Sequence, residues 1–521
     1  VRGWPITYSD FSGGLNTQSG PYLLQGNECR EALNVHTSLT GDVEKRPGFI
    51  TLSGSTLTGS PVNATGVHTL FPSNTSTKSI IGVATTSTTD TIFKMTTGGV
   101  ASVLKSGMTA NTRWWFAQAE VNGASGPIFG LNGVDTPKRW DGSAAEMSDW
   151  VATTGTVPKE ARYLTYWSSR LWCAKGSRLY YSGITGSTPD PLNWDAENFV
   201  DLEPNDGQEI TGIGIVGAYL IVFKSRKIYN VYDPNTAANR AISNSVGCIA
   251  PRSIVQTPIG LLFLSEDQGI CKTDGTAVTP FSDGIKPDIA RVLANPTTAR
   301  NAAGTLLDRR YMLSVSVGGT RNDRTYEYDM IAGSWWPHSC ASNAFALLDP
   351  QGTPQLYSAD SLASARVSKA FVAETFSENG ASMAWKYVTP YYAWGSSGSF
   401  RYQRYIDPHK VKRVREVRVD GEGTWEAFIA ADFREEWKLM DGETWSASGE
   451  AVSGFFETVE SPETTFEGSG AGVFEEGVEI VSERRYHTPG LGRSISFKYE
   501  GNDSNPVKIW STTISIDQRQ D

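Results

Sequence analysis

Cysteine is scarce: 521 residues carry five, Cys29, Cys173, Cys248, Cys271 and Cys340, with no C-x-x-C pair among them. An odd count spread over so long a chain argues against a disulfide framework. The five read as buried small residues of a protein made in a reducing cytoplasm. Histidine is as sparse. His36, His68, His338, His409 and His487 stand singly, so no local spacing supplies the three or four ligands of a zinc site. Long apolar runs are missing too. The most apolar stretch, residues 210–223, falls short of the roughly 20 residues a membrane-spanning helix needs. Its Gly217-Ala218 centre reads as a turn between two buried strands. The opening Val1-Arg2-Gly3-Trp4-Pro5 has no secretory signal pattern, and no membrane insertion is expected. Phosphate loop, nucleophile elbow, zinc helix and calcium loop are all absent as motifs. The expectation is a protein that is not an enzyme, with no catalytic residue, no cofactor and no metal.

Glycine (52), tryptophan (16), tyrosine (20) and phenylalanine (21) are plentiful. Glycine supplies turns, and aromatic side chains suit pleated, half-buried strands. The length exceeds the roughly 250–300 residues at which one core stops growing, so two or more domains are expected. From about residue 60 to 380, strand-like runs recur, broken by Gly, Asn, Asp and Pro. Arg170-Leu171-Trp172-Cys173-Ala174 and Arg178-Leu179-Tyr180-Tyr181 flank Lys175-Gly176-Ser177. Tyr219-Leu220-Ile221-Val222-Phe223 precedes Lys227-Ile228-Tyr229-Asn230-Val231. Gly260-Leu261-Leu262-Phe263-Leu264 precedes Gly269-Ile270-Cys271. The units repeat every ~40–60 residues, the period of a propeller blade. Blades stack radially and leave only short edges. The repeat has neither a WD nor a kelch signature, and a pair of β-sandwiches would give a similar pattern. The fold class expected is all-β: a β-propeller of degenerate blades with an additional C-terminal β-sandwich-like domain.

Helix is expected over 285–293, where Ile285, Ile289, Val292 and Leu293 fall near helical spacing, and more weakly over 362–376. Blade spacing stops near residue 385. Beyond it, 411–419, 424–431, 494–499 and 507–516 read as strands. The expected division is therefore 1–59 as an N-terminal segment, 60–385 as the propeller and 386–521 as the C-terminal β-domain.

The formal charge is −10, and it is unevenly placed. From Glu416 to Arg485 there are 18 acidic and 5 basic residues, while the rest of the chain is close to neutral. Such a region is either a solvated face or a surface that repels nucleic acid, since binding phosphate takes Lys and Arg. The second reading suits a lumen through which DNA slides. Its candidate lining residues are Glu443, Glu450, Glu457, Glu460, Glu463, Glu467, Glu475 and Glu476, on a Gly/Ser/Glu-rich stretch (443–472) that reads as a long loop. A second acidic group, Asp201, Glu203, Asp206 and Glu209, lies in the repeat region. Two carboxylates can hydrolyse glycosides, but Asn205-Asp206-Gly207 is also an ordinary turn. The tryptophans fit blade packing, and alternatively sugar binding.

The most specific pattern is at the start. Asp10-Phe11-Ser12-Gly13-Gly14-Leu15-Asn16 is followed by Pro21-Tyr22-Leu23-Leu24. Then come Glu28–Val35, read as a short helical or turn segment, and Gly41-Asp42-Val43-Glu44-Lys45-Arg46-Pro47-Gly48-Phe49. Here Gly13-Gly14 permits positive φ, Gly41-Asp42 is a hairpin turn and Pro47-Gly48 ends a strand. This order resembles tailed-phage virion proteins, and within them the tail nozzle family of short-tailed phages, also called tail tubular protein B. The resemblance continues through Trp140-Asp141-Gly142, Ala250-Pro251-Arg252-Ser253-Ile254, Phe281-Ser282-Asp283-Gly284-Ile285, Pro408-His409-Lys410-Val411 and Gly423-Thr424-Trp425. It implies a homo-hexameric nozzle in the virion. Such a nozzle docks to an adaptor ring below the portal, lies beside the tail fibres and is threaded by viral DNA without specific binding. The alternatives are a tail-tip propeller that binds host-surface glycan, and a glycoside hydrolase using Asp206 and Glu209.

Overall fold

A computed structural model describes residues 4–518 apart from 22, 57–64, 76, 87, 122–123, 186–187, 351, 362–364, 393–411, 433–435, 441–481, 487–489 and 493. The described chain forms two compact units. One comprises 15–19 and 47–381, the other 1–14, 20–46 and 382–521. The N-terminal stretch 1–59 is thus divided between them.

The first unit is a β-propeller. Its described residues form six antiparallel sheets of four strands, and a seventh blade whose four strands are part of a larger sheet. Blade 1 is Gly66–Ser73, Ser79–Thr85, Thr89–Thr96 and Ala101–Thr109; blade 2 is Trp115–Val121, Ala124–Leu131, Lys138–Trp140 and Ser148–Asp149. Blade 3 is Arg162–Trp167, Arg170–Lys175, Arg178–Tyr181 and Phe199–Asp201; blade 4 is Ile210–Val216, Tyr219–Lys224, Ile228–Val231 and Asn239–Ser243. Blade 5 is Val255–Thr257, Gly260–Ser265, Gly269–Thr273 and Val278–Pro280; blade 6 is Ala303–Leu307, Arg310–Val315, Arg324–Asp329 and Ser334–His338. Blade 7 takes Ser342–Leu348, Gln355–Asp360 and Arg366–Val372 from the end of the ring. Its fourth strand is Gly48–Thr56, from the beginning. The first strands of successive blades touch all the way round, blade 7 against blade 1 included, so the ring is closed.

Burial explains why the second strands are apolar end to end. Gly260–Ser265 is buried at every position, and Ser79–Thr85 at all but the last. A sandwich strand has one face in water and alternates; these have a neighbouring blade on both faces. The apolar clusters accordingly lie between blades. Ile81, Val83 and Ile92 of blade 1 meet Phe116, Ile128 and Trp140 of blade 2. Trp172 and Leu179 of blade 3 meet Leu220 and Val222 of blade 4. Val67 and Ile80 of blade 1 meet Ala344 and Tyr357 of blade 7. Some buried indoles keep their polar atom bonded, Trp172 to Trp167 O (3.0 Å) and Trp140 to Ala144 O (2.8 Å).

The expected helix over 285–293 is present as Lys286–Leu293. The one over 362–376 is not: Arg366–Val372 is the third strand of blade 7, because pairing on both sides outweighs a weak local pattern. The segment 28–35 is likewise extended, as Glu28–Cys29, Glu31–Leu33 and Val35–Thr37.

The second unit is antiparallel β, sandwich-like. One sheet runs Ser482–Tyr486, Lys412–Glu422, Lys508–Gln518, Val43–Lys45, Val35–Thr37, with Trp4–Tyr8 also on Lys508–Gln518. Another set pairs residues 382–388 with Ile495–Asp503, which pairs Glu426–Ala431. The two meet where Tyr499 Oη lies 3.0 Å from Thr512 Oγ1.

Candidate functional site

The opening motif residues are built into the second unit. Phe11 is fully buried, edge-on to Tyr387 with ring centres 5.6 Å apart. Asn34 stands at φ 55°, a left-handed position that asparagine tolerates better than most side chains. From there its Nδ2 donates to Ala384 O (2.6 Å), and its Oδ1 accepts from the Arg46 Nε–H (3.0 Å). Lys45 is buried, its ammonium on Asp503 Oδ1 (2.9 Å) and Asp503 O (2.7 Å). Burial lowers its pKa, and Asp503 opposes that. In the propeller, Gly48 lies so close to the Ser377 backbone that a Cβ would fall 2.0 Å from Ser377 O.

The acids at 201–209 sit between blades 3 and 4, beside a cleft of about 630 Å³ that Asp201 and Glu209 line. Asp201 forms a bidentate pair with Arg178 (2.6 and 2.7 Å), Glu203 pairs with Lys227, and Asp206 bridges Lys224 (2.9 Å) and Lys227 (3.1 Å). The Arg178 hydrogen bonds lower the Asp201 pKa, and Lys227 lowers that of Glu203. Burial works to raise Asp206, but Lys224, the Gln208 amide and Lys227 outweigh it and bring it to about 2. A glycosidase acid needs the opposite environment, one that keeps a carboxyl protonated near neutrality.

Another polar constellation among the described residues is one that sequence spacing does not bring together. It gathers at the end of the propeller axis where the first strands begin. Arg252 comes from the turn Pro251–Ser253, between blades 4 and 5. Its Nη1 donates to His68 O of blade 1 and, at 3.4 Å, to Asn343 O of blade 7; its Nη2 donates to Thr69 Oγ1 (2.6 Å). The His68 ring lies between Thr69 Oγ1 (3.1 Å from Nδ1) and Asp90 Oδ2 (3.1 Å from Nε2). Since a carboxylate only accepts, the network assigns the proton to Nε2. Burial lowers the His68 pKa, which keeps the ring neutral, and Asp90 only partly offsets that. Asp90 also takes the Thr85 hydroxyl and the Asn111 and Thr112 amides. Burial would raise its pKa, yet these partners and His68 hold it low.

Arg113, just before the first strand of blade 2, reaches Arg300 O (3.0 Å) and Asn301 Oδ1 ahead of blade 6. Beneath these groups lies a cavity of about 200 Å³ walled by Phe71, Trp115, Arg252 and Phe345, among others. Trp115 stacks edge-on with Tyr163 (4.9 Å). Tyr163 stands at φ 61° where the register of blade 3 slips, the kind of bulge that re-aims a side chain. In the sequence Arg252 stands within Ala250-Pro251-Arg252-Ser253-Ile254. An arginine directly after a proline is its one local signal.

The eight candidate channel glutamates, Glu443 to Glu476, lie outside the described residues. Among the described residues no three His, Cys, Asp or Glu side chains converge as a metal site, and no helix is long and apolar enough to cross a membrane. The five cysteines are buried and unbonded to one another. Burial pushes Cys248 and Cys271 up to about 12, which makes them poor nucleophiles.

These features define the class: a closed seven-bladed β-propeller with an antiparallel β-domain. No family model matches the chain, and no curated protein matches it. Among solved structures it is similar to the extracellular domain of a hybrid two component system from B. thetaiotaomicron, at 10% identity and a TM-score of 0.40, over 80% of this chain and 58% of that one. It is also similar to the WD40 beta propeller domain of Doa1, at 10% identity and a TM-score of 0.37, over 63% of this chain and 97% of that one. The fold assignment rests on the sheets themselves.

Proposed function

We propose that the chain is a structural virion subunit, part of a phage tail nozzle, that acts by assembling with copies of itself and performs no catalysis. The observation that carries this reading is the ordered series of opening motifs, F-x-G-G-L-N to K-R-P-G-F. Several of its members have a structural task here: Phe11 in the core, Asn34 and Arg46 paired, Lys45 on Asp503, Gly48 against Ser377. The carboxylates at 201–206 support a non-catalytic role, since all three are neutralised by ion pairs.

The route of DNA follows from the same reading. The axial cavity of about 200 Å³ has room for a few waters at ~30 Å³ each, and Arg252 spans blades 1 and 7 above it. A conduit for a duplex therefore lies between copies of the chain and not along the axis of one propeller. Antibody raised against the chain, applied to tailed particles of the virus that encodes it, is expected to label the distal tail. Electron microscopy of those particles should resolve a ring of copies around a lumen. A chain missing from particles and monomeric at every concentration would overturn the proposal.

A further inference from the structure

Buried charges in proteins are paired, because an uncompensated charge out of water is costly. At the axis of the propeller two arginines, Arg252 and Arg113, are half-buried and lack such a partner among the described residues. Arg252 and Arg113 both reach across the ring, and both bond only neutral acceptors: backbone carbonyls, the Thr69 hydroxyl and the Asn301 amide oxygen. Neither has a carboxylate partner among the described residues. The nearby carboxylate, Asp90, already accepts from His68, Thr85 and two backbone amides. His68 is neutral, so it supplies no charge. Of the five guanidinium N–H groups of Arg252, three have acceptors. The Nε–H and one Nη2–H are left over, on a planar group of the kind that carboxylates engage.

Electrostatics agrees with this count. Burial drives the Arg252 pKa well down, and the charge of Arg113 adds to the effect. Burial also lowers Arg113. An anion between them would relieve both.

The space beside the Arg252 guanidinium has apolar side chains on much of its wall, Leu70, Phe71, Trp115 and Phe345, with Thr69 also lining it. An apolar cavity of ~150 Å³ accommodates benzene, and this one is about 200 Å³. We propose that the axial cavity is a binding site for a small carboxylate with a flat apolar body, its carboxylate on Arg252 with Arg113 supplying further positive charge, and its body among Phe71, Trp115 and Phe345. The left-handed backbone at Tyr163 fits this role, since it sets the ring that backs Trp115.

Benzoate is the probe. Titrated into the purified full chain and followed by calorimetry and tryptophan fluorescence, it is expected to bind saturably. Arg252→Met should weaken binding at least tenfold, and Arg113→Met by a smaller factor. Phe345→Trp narrows the cavity, leaves both arginines in place and should also weaken benzoate at least tenfold. It keeps the test open if Arg252→Met fails to fold. No saturable signal by ~10 mM overturns the proposal. So does benzoate binding that survives Arg252→Met unchanged. If inorganic phosphate binds as tightly as benzoate and Phe345→Trp changes neither, the site is a bare anion site and the proposed ligand class is wrong.

Discussion

At the scale of single residues, two positions carry more than their neighbours. Asn34 holds a left-handed turn and bonds on both sides, to Ala384 O and to the fully buried Arg46. Alanine there removes both bonds and adds backbone strain. Asn34→Ala is expected to cost about 2–4 kcal/mol, read as a lower urea midpoint. Asn34→Gly relieves the strain alone and should recover only part of the loss. His68 sets a pH dependence. Its pKa is lowered in the fold by burial, so below its unfolded value of about 6.5 the unfolded chain binds a proton that the folded chain refuses. Stability is then full above that value and falls as the pH drops from it toward the lower folded pKa. Thermal unfolding between pH 7.5 and 5 should show this slope. His68→Gln should reduce it, and an unchanged slope would remove His68 as its source.

At the scale of elements, the strand Gly48–Thr56 decides whether the ring closes. It pairs with Arg366–Val372 across more than three hundred residues of chain, and Phe49 packs with Met312, Leu356 and Ala370 at the contact of blades 6 and 7. Phe49→Ala should cost about 3–5 kcal/mol. A chain that begins at residue 57 would leave the edge of Arg366–Val372 unpaired, and such edges recruit other chains; light scattering should report aggregation. This strand also marks where sequence reading stops. The visible runs, such as Tyr219–Phe223 with Ile228–Val231, are the second and third strands of blades, continuous in hydrophobicity because both faces are covered. The first strands, such as Gly66–Ser73 and Val255–Thr257, mix buried with part-buried or exposed positions, since one side of them faces the axis. Among them Ile210–Val216 shows in the sequence, as half of the apolar stretch 210–223. The partner of Gly48–Thr56 does not show, since no local pattern encodes it. The axial site was illegible for the same reason: His68, Arg113, Arg252 and Asn343 are neighbours only after the ring closes.

At the scale of the whole molecule, charge and closure bear on the proposed conduit together. The propeller axis is occupied by side chains, so in the nozzle reading any surface that meets DNA belongs to the assembly. The residues with the right sign for it are the eight glutamates from Glu443 to Glu476. Their acidity does not bind phosphate, and its reversal would. Each lysine added near a duplex displaces condensed counterions and gains affinity that falls steeply with salt. Replacing Glu457, Glu460, Glu463 and Glu467 by lysine should therefore leave particle assembly intact but slow genome release, with the delay shrinking as ionic strength rises. Replacement by glutamine removes repulsion without creating phosphate contacts and should have a much smaller effect. Release timed by a DNA-binding dye on purified particles distinguishes the two. Equal rates for the lysine, glutamine and native particles at low salt would mean that these glutamates do not face the DNA.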